Sequence, residues 1–557
     1  MVKSPKKLII LGLDGATFDV INPMLESGKL PTFRKLMGEC SYGKLMSTKI
    51  PISPSAWSSF LTGLNPENHG IFDFVKRKEG SYEHIPVNST HRRGIPIWQI
   101  LGEFDKECGV FNVPCTYPPE EIKGFMISGF PVPPGKEYIK PDGFAKELET
   151  KLGPVNLEPE YFYSEGKEIE FVNDQHRCWD ETEKVFKYLW KEKKWDVLIA
   201  VFKPTDEIMH GLWKSIDSTH PSYNTNINKY RDKVLGLYKK ADSIIAEIIK
   251  NKDDDTDLII MSDHGFGPVH STLYMNNWLI KHGYMYYKNK FGVKFRRFLH
   301  ETGLNLENAF KIGKKLGLSA IGKKIAYSSD GVSIFKKIMN LFFLSYKDVD
   351  LSSTRAYSTG NFGQIYINKK GREPEGIVTD DEHEALVNEL IEKLKKFLDP
   401  GNGKVIFDQV LKRDEEYQGK YVEEAPDMVF FDEHLEYTTN RLFEFGSNIL
   451  VGDHVIDRSG DHKPYGIFFA YGNKFKRCKK LEGARIMDIL PTVLYSLGIS
   501  IPDDIDGRIM NDIFKENFRR ANKPKYAHYT EKEKLSEDIW KEEKDGIRRR
   551  LKDLGYA

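Results

Sequence analysis

The stretch Asp257-Leu-Ile-Ile-Met261-Ser-Asp263-His264-Gly-Phe-Gly267 decides how the rest of the chain is read. An unbroken apolar run this short, bounded by polar and glycine residues, reads as a strand buried on both faces rather than as a helix. It ends on an adjacent carboxylate and imidazole, and the glycines beside them let the backbone bend tightly around an ion. In open α/β sheets ligands bind beyond the carboxyl ends of the strands, so residues just past each strand are the ones to inspect.

Working outward, similar runs occur at Lys7–Leu13, 196–202 and 467–471. Between them, 180–194 and 230–250 carry apolar residues at helical spacing with charged residues elsewhere. The fold class expected is α/β, a mostly parallel sheet flanked by helices. At the first strand, Leu11-Gly-Leu-Asp14-Gly15 places a carboxylate at the carboxyl end with a glycine for a tight exit, a pattern that ordinary turns share. After the second, Phe202-Lys-Pro-Thr-Asp206-Glu-Ile-Met-His210 spaces a carboxylate and an imidazole four apart, which one helical turn sets on one face. Ser459-Gly-Asp-His462-Lys-Pro-Tyr-Gly466 offers a histidine in a glycine-flanked loop before the last of these strands.

The segment Ile50-Pro-Ile-Ser53-Pro-Ser55-Ala-Trp-Ser-Ser-Phe-Leu-Thr62-Gly predicts a helix running toward Thr62, with Ser53 at its N-cap and Pro54 at its first position. Ser53 either caps or is a nucleophile. At a helix start the backbone amides and macrodipole favour an anion, which suits attack on phosphorus.

The chain has 557 residues, beyond the ~250 to 300 at which one core stops growing, so a main domain with a large insertion is expected. From 284 to 350 the texture becomes Lys-rich and helix-prone, as in Lys294-Phe-Arg-Arg-Phe298 and Lys311-Ile-Gly-Lys-Lys315. The expected division is a catalytic domain over 1–283 and 351–515, an inserted basic helical cap over 284–350, and a charged helical extension over 516–557. The cap is either a set of amphipathic helices with solvated Lys faces or a basic lid attracting an acidic substrate or a membrane surface. Strand-like sequence resumes at 363–368.

Lys plus Arg total 83 against 82 for Asp plus Glu, so no global charge favours wrapping nucleic acid, and no stable nucleic-acid partner is expected. Cys40, Cys108, Cys115, Cys178 and Cys478 are scattered without a CxxC pair, which argues against a zinc ribbon or a disulfide framework. Asp14 interrupts the first apolar stretch before a signal-peptide core is complete, and 338–344 is too short to span a bilayer. A cytoplasmic location is expected.

In order and type, Leu-Asp14-Gly, Ser53-Pro before Trp57, Thr62-Gly-x-x-Pro-x-x-His69-Gly70, Asp206-x-x-x-His210, Ser-Asp263-His264-Gly and Gly-Asp-His462 resemble the type I phosphodiesterase and nucleotide pyrophosphatase family of the alkaline phosphatase superfamily. Pro491-Thr-Val-Leu-Tyr-Ser-Leu-Gly498 and Asp506-Gly-Arg508 look like the end of that domain, so the resemblance spans about residues 5 to 515, with 284–350 outside it. It implies an alkaline phosphatase-like fold, with one divalent cation held by Asp206, His210 and His462 and a second by Asp14, Asp263, His264 and the Ser53 oxygen. Many relatives have Thr as nucleophile and an aromatic-Pro pair after it. Ser53-Pro54-Ser55 departs from this, leaving Ser55 as runner-up nucleophile, although counting back from Thr62-Gly63 favours Ser53. Ala56 and Trp57 are at odds with the sulfatase pattern.

The expected activity is a two-metal phosphohydrolase, a phosphodiesterase or nucleotide pyrophosphatase acting on a small phosphate ester or nucleotide through a covalent Ser53 intermediate. Mixed His and carboxylate ligands suit Zn2+, with Mn2+ as the alternative. Phosphomonoesterase, phosphonate hydrolase or phosphomutase chemistry could run on the same core, and a catalytically silent anion-binding or partner-binding module is the reading from another class.

Overall fold

The computed structural model describes residues 7–133, 135–315, 341–360, 363–431, 436–439, 445–453, 458–532, 546–548 and 551. Among these, nine strands form the main sheet: β1 (Lys7–Leu13), β2 (Ser41–Met46), β3 (Cys108–Phe111), β4 (Gly124–Ile127), β5 (Ile139–Lys140), β6 (Val197–Phe202), β7 (Thr256–Met261), β8 (Tyr465–Tyr471) and β9 (Lys479–Arg485). Their order is β9-β2-β8-β7-β1-β6-β3-β4-β5. The run β7-β1-β6-β3-β4 is wholly parallel, while β8 lies antiparallel to both β7 and β2.

Every residue of β6 and β7 is buried, as the unbroken apolar runs require of central strands covered on both faces. Alternation along β1 divides the core in two. Ile9, Leu11 and Leu13 face Trp179, Phe186, Tyr238 and Ile244, from the helices α2 (Glu168–Glu192) and α4 (Arg231–Asn251). Leu8 and Ile10 belong to the other layer, with Trp57, Phe60 and Leu61 of α1 (Ser53–Thr62) and with Trp98 and Leu490. A Cβ on Gly12 would come within 2.5 Å of the Trp57 ring, so this glycine lets α1 sit directly against β1. Each large apolar side chain so enclosed contributes about 1.5–3 kcal/mol.

In register, Leu13 pairs with Phe202 and Gly12 with Met261. The three central strands therefore end level, and Asp14, Lys203 and Ser262 follow together at one edge of the sheet. Next to β6 comes α3 (Pro204–Leu212), which supplies the predicted turn between Asp206 and His210.

The strand expected at 363–368 forms as Gln364–Ile367, but it does not return to the main sheet. It joins Ala356–Ser358, Met428–Phe431 and Gln409–Lys412 in a separate four-stranded antiparallel sheet. This sheet packs with Trp278, Leu279 and the helix Asp380–Leu394 around its own core, including Tyr357, Ile365, Leu386, Leu390 and Phe430. The next strand of the main sheet after β7 is β8, so the segment outside that sheet is wider than 284–350. Within 284–350 the helices α5 (Phe291–Glu301) and Leu306–Lys315 form, and 316–340 lies outside the described residues. Of the C-terminal extension, a helix is seen at Glu516–Ala521, while 533–545, 549–550 and 552–557 lie outside the described residues. Among the described residues no helix is long and apolar enough to cross a membrane.

Candidate active site

Asp14 leaves β1 with its amide bonded to the Phe202 carbonyl at 3.0 Å and its own carbonyl accepting from the Thr205 hydroxyl at 2.7 Å. Gly15 turns the chain at φ 64° and donates its N–H to Asp263 Oδ1 at 3.3 Å. A Cβ at Gly15 would lie 3.1 Å from Asp206 Oδ1, so the turn passes close under the cluster. His462, expected in a loop, lies in the short strand Gly460–Lys463, which pairs antiparallel with Gly265–Pro268 and sets His462 opposite Phe266. That ladder carries a histidine remote in sequence up to His264.

The expected residues converge as two groups, Asp206 with His210 and His462, and Asp14 with Asp263 and His264. Within each group one ligand-type atom per residue lies within 4.8 Å of the others. Asp206 Oδ2 is 3.4 Å from His210 Nε2, and Asp206 Oδ1 is 3.2 Å from His462 Nε2. His264 Nε2 lies 3.3 Å from Asp263 Oδ2, 3.6 Å from Asp14 Oδ1 and 3.9 Å from Asp206 Oδ1, so the groups adjoin. The His264 and His462 rings stack at 3.6 Å.

The other ring nitrogen of each histidine is already committed. His210 Nδ1 meets the Gly460 carbonyl at 3.1 Å, His264 Nδ1 the Gly265 carbonyl at 2.9 Å, and His462 Nδ1 the Pro51 carbonyl at 2.7 Å. A carbonyl only accepts, so Nδ1 carries a proton, and in its neutral form each ring turns an Nε2 lone pair into the cluster. Two such atoms, His210 Nε2 and His462 Nε2, lie 3.1 Å apart. Neutral rings in this tautomer cannot hydrogen-bond to each other there, and a shared cation would resolve the contact. Metal-binding histidines are oriented in this way.

The carboxylates point to the same conclusion. Asp14 Oδ1, Asp206 Oδ1 and Asp263 Oδ2 are buried and receive no hydrogen bond, although buried polar atoms normally find a partner. Burial, then the carboxylates of Asp263 and Asp206, hold the Asp14 carboxyl well above its usual range. Burial also pushes Asp206 up, but without a metal, protonated imidazoles at His210 and His462 outweigh it and leave that carboxyl well below its usual range. Burial lowers the basicity of His210 and His264, whereas at His462 the Asp206 carboxylate overcomes burial and raises it. Three buried acids facing three imidazole lone pairs form a donor set short of positive charge, of mixed N and O type, and it fits two divalent cations.

Ser53 opens α1 with Ile52 at the N-cap and Pro54 next, one position on from the sequence expectation. No capping bond from its hydroxyl to the helix amides forms. Ser53 Oγ instead lies 3.3 Å from His264 Nε2. Ser55 Oγ is buried without a hydrogen-bond partner and makes none of the cluster's contacts. His69 accepts from the Ile71 amide at Nδ1, 3.1 Å, and so donates from Nε2 to Ser59 Oγ at 2.9 Å, tying the segment after α1 back onto it. Sequence reasoning assigned no role to Asp461 or Lys203. Asp461 accepts from the His462 amide and from Arg458 and lies 3.8 Å from His210 Nδ1, while Lys203 is buried beyond β6 and lowers the Asp14 carboxyl against its acidic neighbours. Their signal was a charged residue immediately beside a ligand motif.

Residues 8–454 match the family model of type I phosphodiesterase / nucleotide pyrophosphatase. Among solved structures, the chain resembles human ectonucleotide pyrophosphatase / phosphodiesterase 5 at 13% identity and TM-score 0.48, covering 92% of this chain and 100% of that one. The murine counterpart gives 12% identity and TM-score 0.49 over 91% and 100%. An inactive murine form in complex with AMP gives 12% and 0.47 over 89% and 96%. No curated protein matches the chain. With its family model spanning most of its length, this chain belongs to the type I phosphodiesterase / nucleotide pyrophosphatase family of phosphoric ester hydrolases.

Proposed function

We propose that the protein is a two-cation phosphodiesterase or nucleotide pyrophosphatase that acts through a covalent Ser53 intermediate. The observation that carries this reading is the convergence of three Nε2 lone pairs and three undersupplied carboxylates on one buried site, with Ser53 Oγ 3.3 Å from His264 Nε2. Asp206, His210 and His462 would hold one ion, and Asp14, Asp263, His264 and Ser53 Oγ the other, with Zn2+ favoured over Mn2+ by the imidazole content. When bound, such ions lower the pKa of a coordinated oxygen and neutralise charge on the phosphoryl group.

Ser53 Oγ forms a bond to phosphorus as the bond to the leaving-group oxygen breaks, and the Ser53 proton passes through solvent to that departing oxygen. Water then attacks the substituted phosphoseryl group, the P–Oγ bond breaks, and a proton from that water returns to Ser53 Oγ as the phosphate monoester leaves. Of the first positions of α1, Pro54 has no N–H and the Ala56 amide is bonded to the Ile52 carbonyl at 2.9 Å, which leaves the Ser53 and Ser55 amides for the anion at both stages. The Nδ1 anchors hold the imidazoles in place throughout, so little reorganisation accompanies the reaction.

The test is hydrolysis of bis(p-nitrophenyl) phosphate beside p-nitrophenyl phosphate, by metal-stripped protein and after return of Zn2+ or Mn2+. Metal-restored cleavage preferring the diester is expected. Preference for the monoester moves the reading to a phosphatase. Two bound metals with neither ester cleaved points to a phosphomutase, a phosphonate hydrolase or a silent binding module.

A further inference from the structure

The helix α5 is anchored on one side and apolar on the other. Its inner face holds Val293 and His300, both buried, and Arg296 paired with Asp348. The Asn448 side chain donates to the Glu301 carbonyl at 3.2 Å and fixes the far end. On the opposite face Phe291, Phe295 and Phe298 are 89%, 45% and 62% exposed. Spacings of four and then three residues put the three rings in one stripe.

Single exposed apolar residues need no explanation, but an aligned aromatic stripe on a docked helix does. The lobe core is satisfied by the other face of the helix, so burial among the described residues does not account for it. Charge identifies the partner. From Tyr286 to Phe298 there are five basic residues, Lys288, Lys290, Lys294, Arg296 and Arg297, and no acidic one. Arg296 is used in anchoring, Arg297 pairs with Glu301 on the exposed side at 2.7 Å, and Lys294 adjoins the phenylalanine stripe. A second copy of the chain would bring a like-charged patch against this one, which disfavours symmetric self-association. Phenylalanine rings with a basic flank are the composition of a helix lying in the interface of an anionic bilayer, rings among the acyl chains and cations at the headgroups.

We infer that the outer face of α5 docks the protein on anionic lipid membranes through Phe291, Phe295 and Phe298, with Lys288, Lys290 and Lys294 at the headgroups. The inference is independent of the catalytic reading, since none of these residues belongs to the cation cluster.

The experiment is co-sedimentation of the full chain with vesicles of phosphatidylcholine alone and with about one third phosphatidylglycerol. Binding to the anionic vesicles is expected. It should weaken several-fold as salt rises from about 0.1 to about 0.5 M, and fall roughly a hundredfold in a Phe291→Ser, Phe295→Ser, Phe298→Ser variant whose melting temperature matches wild type. A second variant, Lys288→Gln, Lys290→Gln, Lys294→Gln, should lose the preference for anionic lipid while keeping the rings. No vesicle binding by wild type, or equal binding by the Phe→Ser variant, overturns the inference. So does a concentration-dependent dimer, or retention on single-stranded DNA, that the Phe→Ser variant abolishes while vesicles remain unbound.

Discussion

Among the described residues, a buried carboxylate cluster at the edge of the main sheet can be set beside a buried carboxylate network in the four-stranded lobe. In the lobe, Asp427 is wholly enclosed and fully supplied. It accepts from Arg372 at 3.0 and 2.6 Å, from His383 Nε2 at 2.9 Å and from the Ile367 amide at 2.7 Å, with Arg413 at 3.4 Å. Burial pushes its carboxyl up, and the His383 hydrogen bond and Arg372 outweigh that and hold it well below the usual range. At the sheet edge, Asp14, Asp206 and Asp263 crowd together with oxygens that receive nothing and histidines whose lone pairs face inward. Burial is common to both clusters. What separates a structural network from a ligand site is the balance of donors against acceptors.

The sharpest break of this contrast is at Ser53. Ser53→Ala should cut turnover by about 10³-fold or more while leaving the melting temperature within about 2 °C, because the hydroxyl serves the reaction and not the core. Ser55→Ala should keep most activity, and the reverse result would move the nucleophile. Asp427→Ala should do the opposite, destabilising the fold by about 3–5 kcal/mol in denaturant unfolding, since it removes the shared carboxylate of half-buried Arg372 and buried Arg413 and leaves Arg372 with Glu373 alone among the described residues. Asp206→Ala should lower bound cations from two to one by elemental analysis, with activity falling about 10²-fold or more. Full metal content and activity would contradict the proposed ligands. In metal-stripped protein, Asp14→Asn should stabilise by on the order of 1 kcal/mol by relieving like-charge repulsion, where Asp427→Asn destabilises.

The smallest expected effect is in pH. Asp427 has a lowered folded pKa, so below its ordinary range the unfolded chain binds the proton first. Its contribution to stability is fully present above about pH 4 and is lost as pH falls through the folded value. Comparing acid unfolding of wild type and Asp427→Asn would isolate it, and parallel curves would show that the network does not couple to folding in this way.

The central fold was legible because β1, β6 and β7 are buried on both faces and therefore written as apolar runs, with Asp14 and Asp263 at their ends. Asp206 and His210 were legible because helical spacing is local. The second lobe was not. Gln364–Ile367 and Gln409–Lys412 are four-residue strands whose composition says they pair but not with which sheet. His462 looked like a loop residue because its partner strand, Gly265–Pro268, lies far away in the chain and is itself rich in glycine. Asp427, within Ala425-Pro-Asp-Met428, has the local look of a turn, and only tertiary pairing with Arg372 and His383 distinguishes it.

The three Nδ1 anchors at Gly460, Gly265 and Pro51 are main-chain oxygens, which no single amino-acid replacement can delete. Had the imidazoles been aimed by neighbouring side chains, each neighbour would be a position where one codon change could turn a ring. Here ring orientation is inherited from the path of the backbone. The surroundings of the centre are thus free to drift in sequence, and the positions open to loss by point mutation narrow to the ligand-type residues themselves and to glycines such as Gly15 that let the chain pass beneath them.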